Sequence, residues 1–248
     1  MNRMENMSND EREARVELAA CYRLISHFGL TDTIYNHISV RLPGSEDRFL
    51  INAFGLTYDE ITASNLVTIG LDGSVIDDPT GLGINPAGFV IHAAVHNARH
   101  DVKCVLHTHS PAGMGVAAQK NGLLPISQHA AFLLHEIAYH ESEGPAIDLD
   151  ERARIVAHLG DKHILILRNH GLLTAGRSVV EALQFMIDLE AACRGQIAAM
   201  AGGAELTYLS DAAIKRSAQA VANRHEMLGR DWAALTRLAD RVAPGYRS

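Results

Sequence analysis

Apolar residues recur at helical steps from Val16 through Ala19, Ala20, Leu24 and Ile25 to Phe28, and Gly29 ends the run. That period predicts an amphipathic helix over 16–28. The residues before it, 1–10, are polar and charged and read as a flexible tail. Strand-like pieces follow. Ile38-Ser39-Val40-Arg41-Leu42 alternates and stops at Pro43-Gly44, and Phe49-Leu50-Ile51 is a second piece. Leu66–Leu71 and Ser74–Ile76 flank Asp72-Gly73, a hairpin signal. A loop rich in Gly, Pro and Asp covers 77–88, and a helical pattern covers 88–99. The β-branched run 102–106 enters His107-Thr108-His109, after which Ser110-Pro111 has the form of a helix N-cap with proline at the first position. A short helix over 150–159, a buried-looking strand over 163–167, a long helix over 178–200 and helices over 210–228 and 231–242 complete the pattern. No repeat, low-complexity segment or linker interrupts it. Residues 11–248 are therefore read as one α/β domain with hairpins and crossovers mixed in its sheet.

Composition narrows the function. At 248 residues the chain can bury a core without disulfides or metal. Lys plus Arg number 22 against 29 Asp plus Glu, a net charge of −7, which excludes a global field for nucleic acid or anionic lipid. No run is apolar enough to span a bilayer, and the polar start has no signal-peptide core. Cys21, Cys104 and Cys193 are odd in number and form no CxxC. A reducing cytoplasmic location is expected. The outlying count is 14 histidines.

His107 and His109 lie two apart at a strand end, so their side chains share a face. Two imidazoles on one face can chelate a single ion; the same pair can also face solvent or cap the following helix. His170 stands where a second strand gives way to a glycine turn. If the two strands are neighbours, the three histidines converge as neutral ligands suited to zinc, manganese, iron or cobalt, with positions left open. His92 and His96 share a helix face but lack the glutamate of a zinc protease helix, and are read as packing or supporting residues. His135 and His140 precede Glu136 and Glu141 and are read as surface ion-pair partners. No G-x-S-x-G is present, and Gly81-Leu82-Gly83 reads as a turn.

Several segments together resemble the class II aldolase/adducin family. They are Thr33-Ile34-Tyr35-Asn36-His37-Ile38-Ser39-Val40-Arg41, Phe54-Gly55-Leu56, Asn85-Pro86-Ala87-Gly88-Phe89-Val90-Ile91-His92, His107-Thr108-His109-Ser110-Pro111 and Leu167-Arg168-Asn169-His170-Gly171-Leu172, in collinear order across residues 12–205. The resemblance implies a three-layer α/β/α fold with a mainly antiparallel central sheet. It also implies one divalent ion per subunit on His107, His109 and His170, zinc first, and a homotetramer with sites near subunit boundaries.

The departures bear on the reaction. The sugar-phosphate aldolases of the family carry a Ser-Ser-Glu segment where this chain has Pro86-Ala87-Gly88, so the acid/base carboxylate is replaced by glycine. Asn36 and Gly55 are kept in the substrate region, but Phe54 replaces a small hydroxyl residue, and Gln128-His129 stand near the place of a catalytic tyrosine. A phosphate dianion needs several donors or cations. The expected substrate is therefore small and unphosphorylated: a hydroxy or oxo acid, or a hydroxy-aromatic carboxylate whose ring Phe54 and Phe89 would line. Decarboxylation needs no starting base and tolerates the missing glutamate better than aldol cleavage. His129 is the expected proton donor, its ordinary pKa suiting work near neutrality, although a surface-loop histidine has the same sequence signature. Two alternatives are a sugar-derivative epimerase or dehydratase and an adducin-like interaction module without catalysis.

Overall fold

The computed structural model describes residues 3–144, 150–222 and 225–248. Among them one sheet of eight strands runs in the order β4-β3-β2-β1-β5-β8-β7-β6. The strands are β1 (His37–Arg41), β2 (Arg48–Ile51), β3 (Val67–Gly70), β4 (Val75–Asp77), β5 (Cys104–Thr108), β6 (Ile137–His140), β7 (Ile164–Leu167) and β8 (Gly171–Gly176). Every neighbouring pair is antiparallel except β6 and β7. The expected mainly antiparallel α/β/α architecture is what the structure has.

The helices are α1 (Asn9–His27), α2 (Pro86–Ala98), α3 (Pro111–Ala117), α4 (Gln128–Leu133), α5 (Glu151–Leu159), α6 (Val179–Met200), α7 (Asp211–Ala222) and α8 (His225–Val242). On one face α1, α3 and α6 lie on the sheet, with α4 and α8 packed behind them. Strand alternation explains the division. Ile38 and Val40 of β1, Cys104 and Leu106 of β5 and Ile164 and Ile166 of β7 all face that layer and its core. The intervening residues, Val105, Leu165, Leu167, Leu173 and Ala175, meet α2 and α5 on the other face. All three cysteines are free and buried. No helix among the described residues is long and apolar enough to cross a membrane.

Three local readings differ from the pattern-based ones. The first helix starts at Asn9 rather than Val16, because Ser8 accepts a hydrogen bond from the Glu11 amide at 3.1 Å and caps it. Arg3–Asn6 form a short 3-10 helix and Met4 is buried, so part of the segment read as a flexible tail has regular structure. His225–Val242 form one helix, so Gly229, which falls between the two helices expected at 210–228 and 231–242, sits inside α8 on an exposed face. The sequence pattern showed neither α4 nor β6, both short and flanked by turns.

Candidate metal centre

The start of β1, the end of β5 and the start of β8 meet at one end of the central strands, because β1 and β8 both run antiparallel to β5. His37 is in register with His107, and His107 with Leu173. His107 projects from the face shared with Val105, whereas His109 follows the strand where Ser110 caps α3 by accepting from the Gly113 amide. His170 comes from the β7–β8 turn. Asn169 supplies the left-handed backbone that turn needs, at φ 57°, a conformation asparagine tolerates better than most residues. The turn is anchored by Arg168, which lies over the Tyr139 ring and donates to the Gln119 carbonyl at 2.7 Å.

His107, His109 and His170 thereby face one another, with their ligand atoms all within 4.8 Å. The Nε2 atoms of His107 and His109 are 2.8 Å apart, and those of His109 and His170 are 3.0 Å apart. The outer nitrogens decide what these atoms are. His107 Nδ1 lies 2.9 Å from the Leu172 carbonyl oxygen, which only accepts, so Nδ1 carries the proton. His109 Nδ1 lies 2.8 Å from the Asp32 carboxylate and donates likewise. In the neutral tautomers this leaves both Nε2 atoms as bare lone pairs pointing at each other, an arrangement that repels until a cation sits among them. Burial, then neighbouring His37, His170 and His109, holds His107 well below the usual imidazole range; burial, then His109 and His140, lowers His170 to about 4. At neutral pH His107 and His170 are therefore ligands, not cations. The residues fit a divalent metal.

The centre opens into a cleft of about 420 Å³. Asp32, Tyr35, His37, Asn85, Ser142 and Asn169 line it beside the three histidines, and among the described residues no lysine or arginine does. Asp32 orients His109, a role the sequence pattern did not show, since nothing marks a loop aspartate 77 residues away as its partner.

The other expected site residues are placed as follows. Gly88, in the first turn of α2, faces His37: a Cβ there would meet the imidazole at 2.5 Å. Phe54 is half-buried, with its ring 6.3 Å from that of Tyr35 at the cleft, and Gly55 turns the chain at φ 117°. Asn36 is buried and donates to the Leu30 carbonyl at 3.0 Å; it does not line the cleft. Phe89 does not line it either. The helical turn after Gly88 sends its ring outward, against Gly73 of the β3–β4 turn and beneath the Arg152 guanidinium. Gln128 and His129 are exposed in the first turn of α4, on the layer behind α6, and within one chain the structure does not bring them to the histidines. His140 is not a surface ion-pair partner of Glu141: it is buried in β6 and contacts Glu151 at 3.2 Å and His158 at 2.7 Å. His135 does lie 3.2 Å from Glu136.

Beside the centre, His92 and His96 are both fully buried, consistent with a supporting role. Burial, then Arg41, lowers His96 to about 3. Unfolded, its pKa is about 6.5. As pH falls below that value the unfolded chain takes up a proton that the native one refuses, so stability drops until about pH 3. In chelator, wild type is expected to lose stability between pH 6.5 and 4.5 more steeply than His96→Asn, by up to about 1.4 kcal/mol per pH unit. Urea unfolding at stepped pH checks this, and equal slopes would refute it.

Comparison with known proteins agrees with the geometry. The family profile described as "Class II Aldolase and Adducin N-terminal domain" matches residues 16–197. The chain belongs to that family. A crystal structure of an aldolase II superfamily protein from Pseudomonas syringae is 53% identical, covers 98% of both chains and superposes with a TM-score of 0.94. Rat α-adducin is 47% identical over 205 residues, which cover 81% of this chain and 28% of the adducin. The L-fuculose 1-phosphate aldolase of Glaciozyma antarctica shares the fold, with a TM-score of 0.84 at 24% identity over 98% of this chain and 95% of its own.

Proposed function

We propose that this chain is a metal-dependent carbon–carbon lyase, a decarboxylase or aldolase, acting on a small unphosphorylated hydroxy or oxo acid or a hydroxy-aromatic carboxylate. The observation that carries the reading is a cleft in which imidazole lone pairs converge while, among the described residues, no lysine or arginine offers a counter-charge for phosphate. His107, His109 and His170 would hold one divalent ion, zinc first, with manganese, iron or cobalt as alternatives. Such an ion supplies Lewis-acid stabilisation of the enolate-like charge left when a carbon–carbon bond breaks. Asp32 keeps His109 in the ligating tautomer, and Asn85, Ser142 and Asn169 offer neutral hydrogen bonds that orient a chelating acid. No carboxylate stands at Gly88 to remove a proton, which favours decarboxylation over aldol cleavage. A proton must return to the carbon, and His129 is the candidate donor. Because it lies off the cleft of its own chain, that role requires a neighbouring copy, in keeping with a homotetramer whose sites lie near subunit boundaries.

The test is a screen of metal-loaded protein against hydroxy acids and hydroxy-aromatic carboxylates, each beside a phosphorylated sugar, for carbon dioxide or aldehyde release. Turnover of an unphosphorylated acid, abolished in His170→Ala, is expected. Turnover confined to the sugar phosphates would overturn the substrate class. The identity with α-adducin supports a second reading, an interaction module without catalysis. A wild type that takes up no metal would favour it.

A further inference from the structure

Beside the three converging histidines lies a fourth that the reading above leaves without a role. His37 opens β1, lines the cleft, and stacks on the His107 ring with centroids 5.0 Å apart. Its Nδ1 is 2.8 Å from His92 Nε2. The chain continues inward: His92 Nδ1 to Ser39 Oγ at 2.6 Å, and Ser39 Oγ to His96 Nε2 at 2.8 Å. All four residues are buried. Each contact holds one proton, so each donor or acceptor role sets the next. His37 Nε2 is left as the end of the chain, with no hydrogen bond to a described residue.

The space for this ring is made by Gly88. A Cβ there would lie 2.5 Å from His37 Cδ2 and 2.8 Å from its Nε2, closer than real Cβ atoms come. Any side chain at 88 would displace the imidazole, and the imidazole fills the ground in front of position 88. The glycine is thus one half of an exchange whose other half is His37.

We propose that His37 Nε2 is a substrate-contacting hydrogen-bonding group of the cleft, standing where a side chain from position 88 would otherwise reach, and that His92 and Ser39 are positioning residues acting through it. The proposal rests on the reading of the cleft as a metal-dependent acid-binding site and adds the residue that grips the acid. A neutral imidazole bonds a hydroxyl, carbonyl or carboxylate oxygen without the charge that a phosphate would demand. Chelated acids of two or three carbons are short enough to reach it from the three histidines, since its ring is in contact with that of His107.

Oxalate, a bidentate and unreactive acid, is the probe. Zinc-loaded wild type, His37→Phe, His37→Gln and Ser39→Ala are titrated with oxalate by calorimetry, with zinc content measured on the same samples. We expect unchanged zinc content throughout and oxalate binding at least tenfold weaker in His37→Phe. Partial recovery in His37→Gln, which restores a hydrogen-bonding end, and an intermediate loss in Ser39→Ala complete the expectation. A purely structural role predicts no rescue by Gln and lower thermal stability in step with the binding loss. Equal oxalate affinity in wild type and His37→Phe, no oxalate binding by zinc-loaded wild type, or loss that tracks stability without rescue would overturn the proposal. Zinc-free wild type is a separate outcome: it removes the metal reading before oxalate is added, and the proposal with it.

Discussion

Wild-type protein produced with added zinc and manganese is expected to carry about one divalent ion per chain, and His109→Ala and His170→Ala close to none. Plasma mass spectrometry on the purified proteins measures it. The expectation follows from the two lone pairs that face each other 2.8 Å apart, each fixed by an acceptor on the far side of its ring. A protein that spends two hydrogen bonds on this orientation leaves the inner nitrogens unsatisfied until a cation arrives. Removing one imidazole leaves two ligands, too few to compete with water or chelator. His109 and His170 are only partly buried, so their truncation opens no large core cavity and the variants should fold. The ion also binds the native state alone, so chelator should lower the melting temperature of wild type and leave both variants unmoved. Metal-free wild type after that supplementation would sink the lyase reading and leave the interaction module.

Gly171→Ala is expected to cost stability and metal together. A Cβ at 171 would lie 2.4 Å from the Thr108 carbonyl oxygen and 3.1 Å from His109 Cδ2. The first of these is backbone and cannot rotate away, so β8 must part from β5 where His107 and His109 are seated. Forced overpacking of this kind costs about 1–3 kcal/mol. The neighbouring His170 shifts with it, so zinc affinity should fall even in the folded fraction. Gly229→Ala is the control. It lies in α8 with nothing within 4 Å of the added carbon, and should stabilise by up to about 1 kcal/mol through helix propensity. Denaturant unfolding with a zinc competition assay separates the two effects, and a Gly171→Ala protein with wild-type stability and zinc affinity would show that the strands yield more easily than the geometry implies.

Much of this protein is legible in its sequence because the signals are local. The alternation in β1, the Asp72-Gly73 turn, the Ser110-Pro111 cap and the run before His107 each depend on residues within a few positions of one another, and each element stands where they put it. The two-residue spacing of His107 and His109 places both at one strand end whatever the rest of the chain does. His170, 61 residues further on, was marked by its own strand-to-glycine turn, and the family resemblance joined it to the pair. The loss of the carboxylate at Gly88 was equally visible, as a glycine where a glutamate was expected.

Tertiary pairing decided the rest. That His37 belongs to the site depends on β1 running antiparallel beside β5 in the register His37 to His107, and no residue near His37 announces that partner. Asp32 reaches His109 only because the loop before β1 folds over the end of β5. Phe89 and His129 illustrate the converse. A phenylalanine one residue after Gly88 is turned by the helix towards Gly73 and Arg152, and a histidine in the expected segment falls on a layer behind α6. The sequence by itself determined most of the element types, the pair of imidazoles at one strand end and the absence of a carboxylate at position 88, since backbone conformation and residue chemistry are local properties. Only the fold decided which side chains share the cleft with that pair, because strand register and helix phase are set by contacts between residues far apart in the chain.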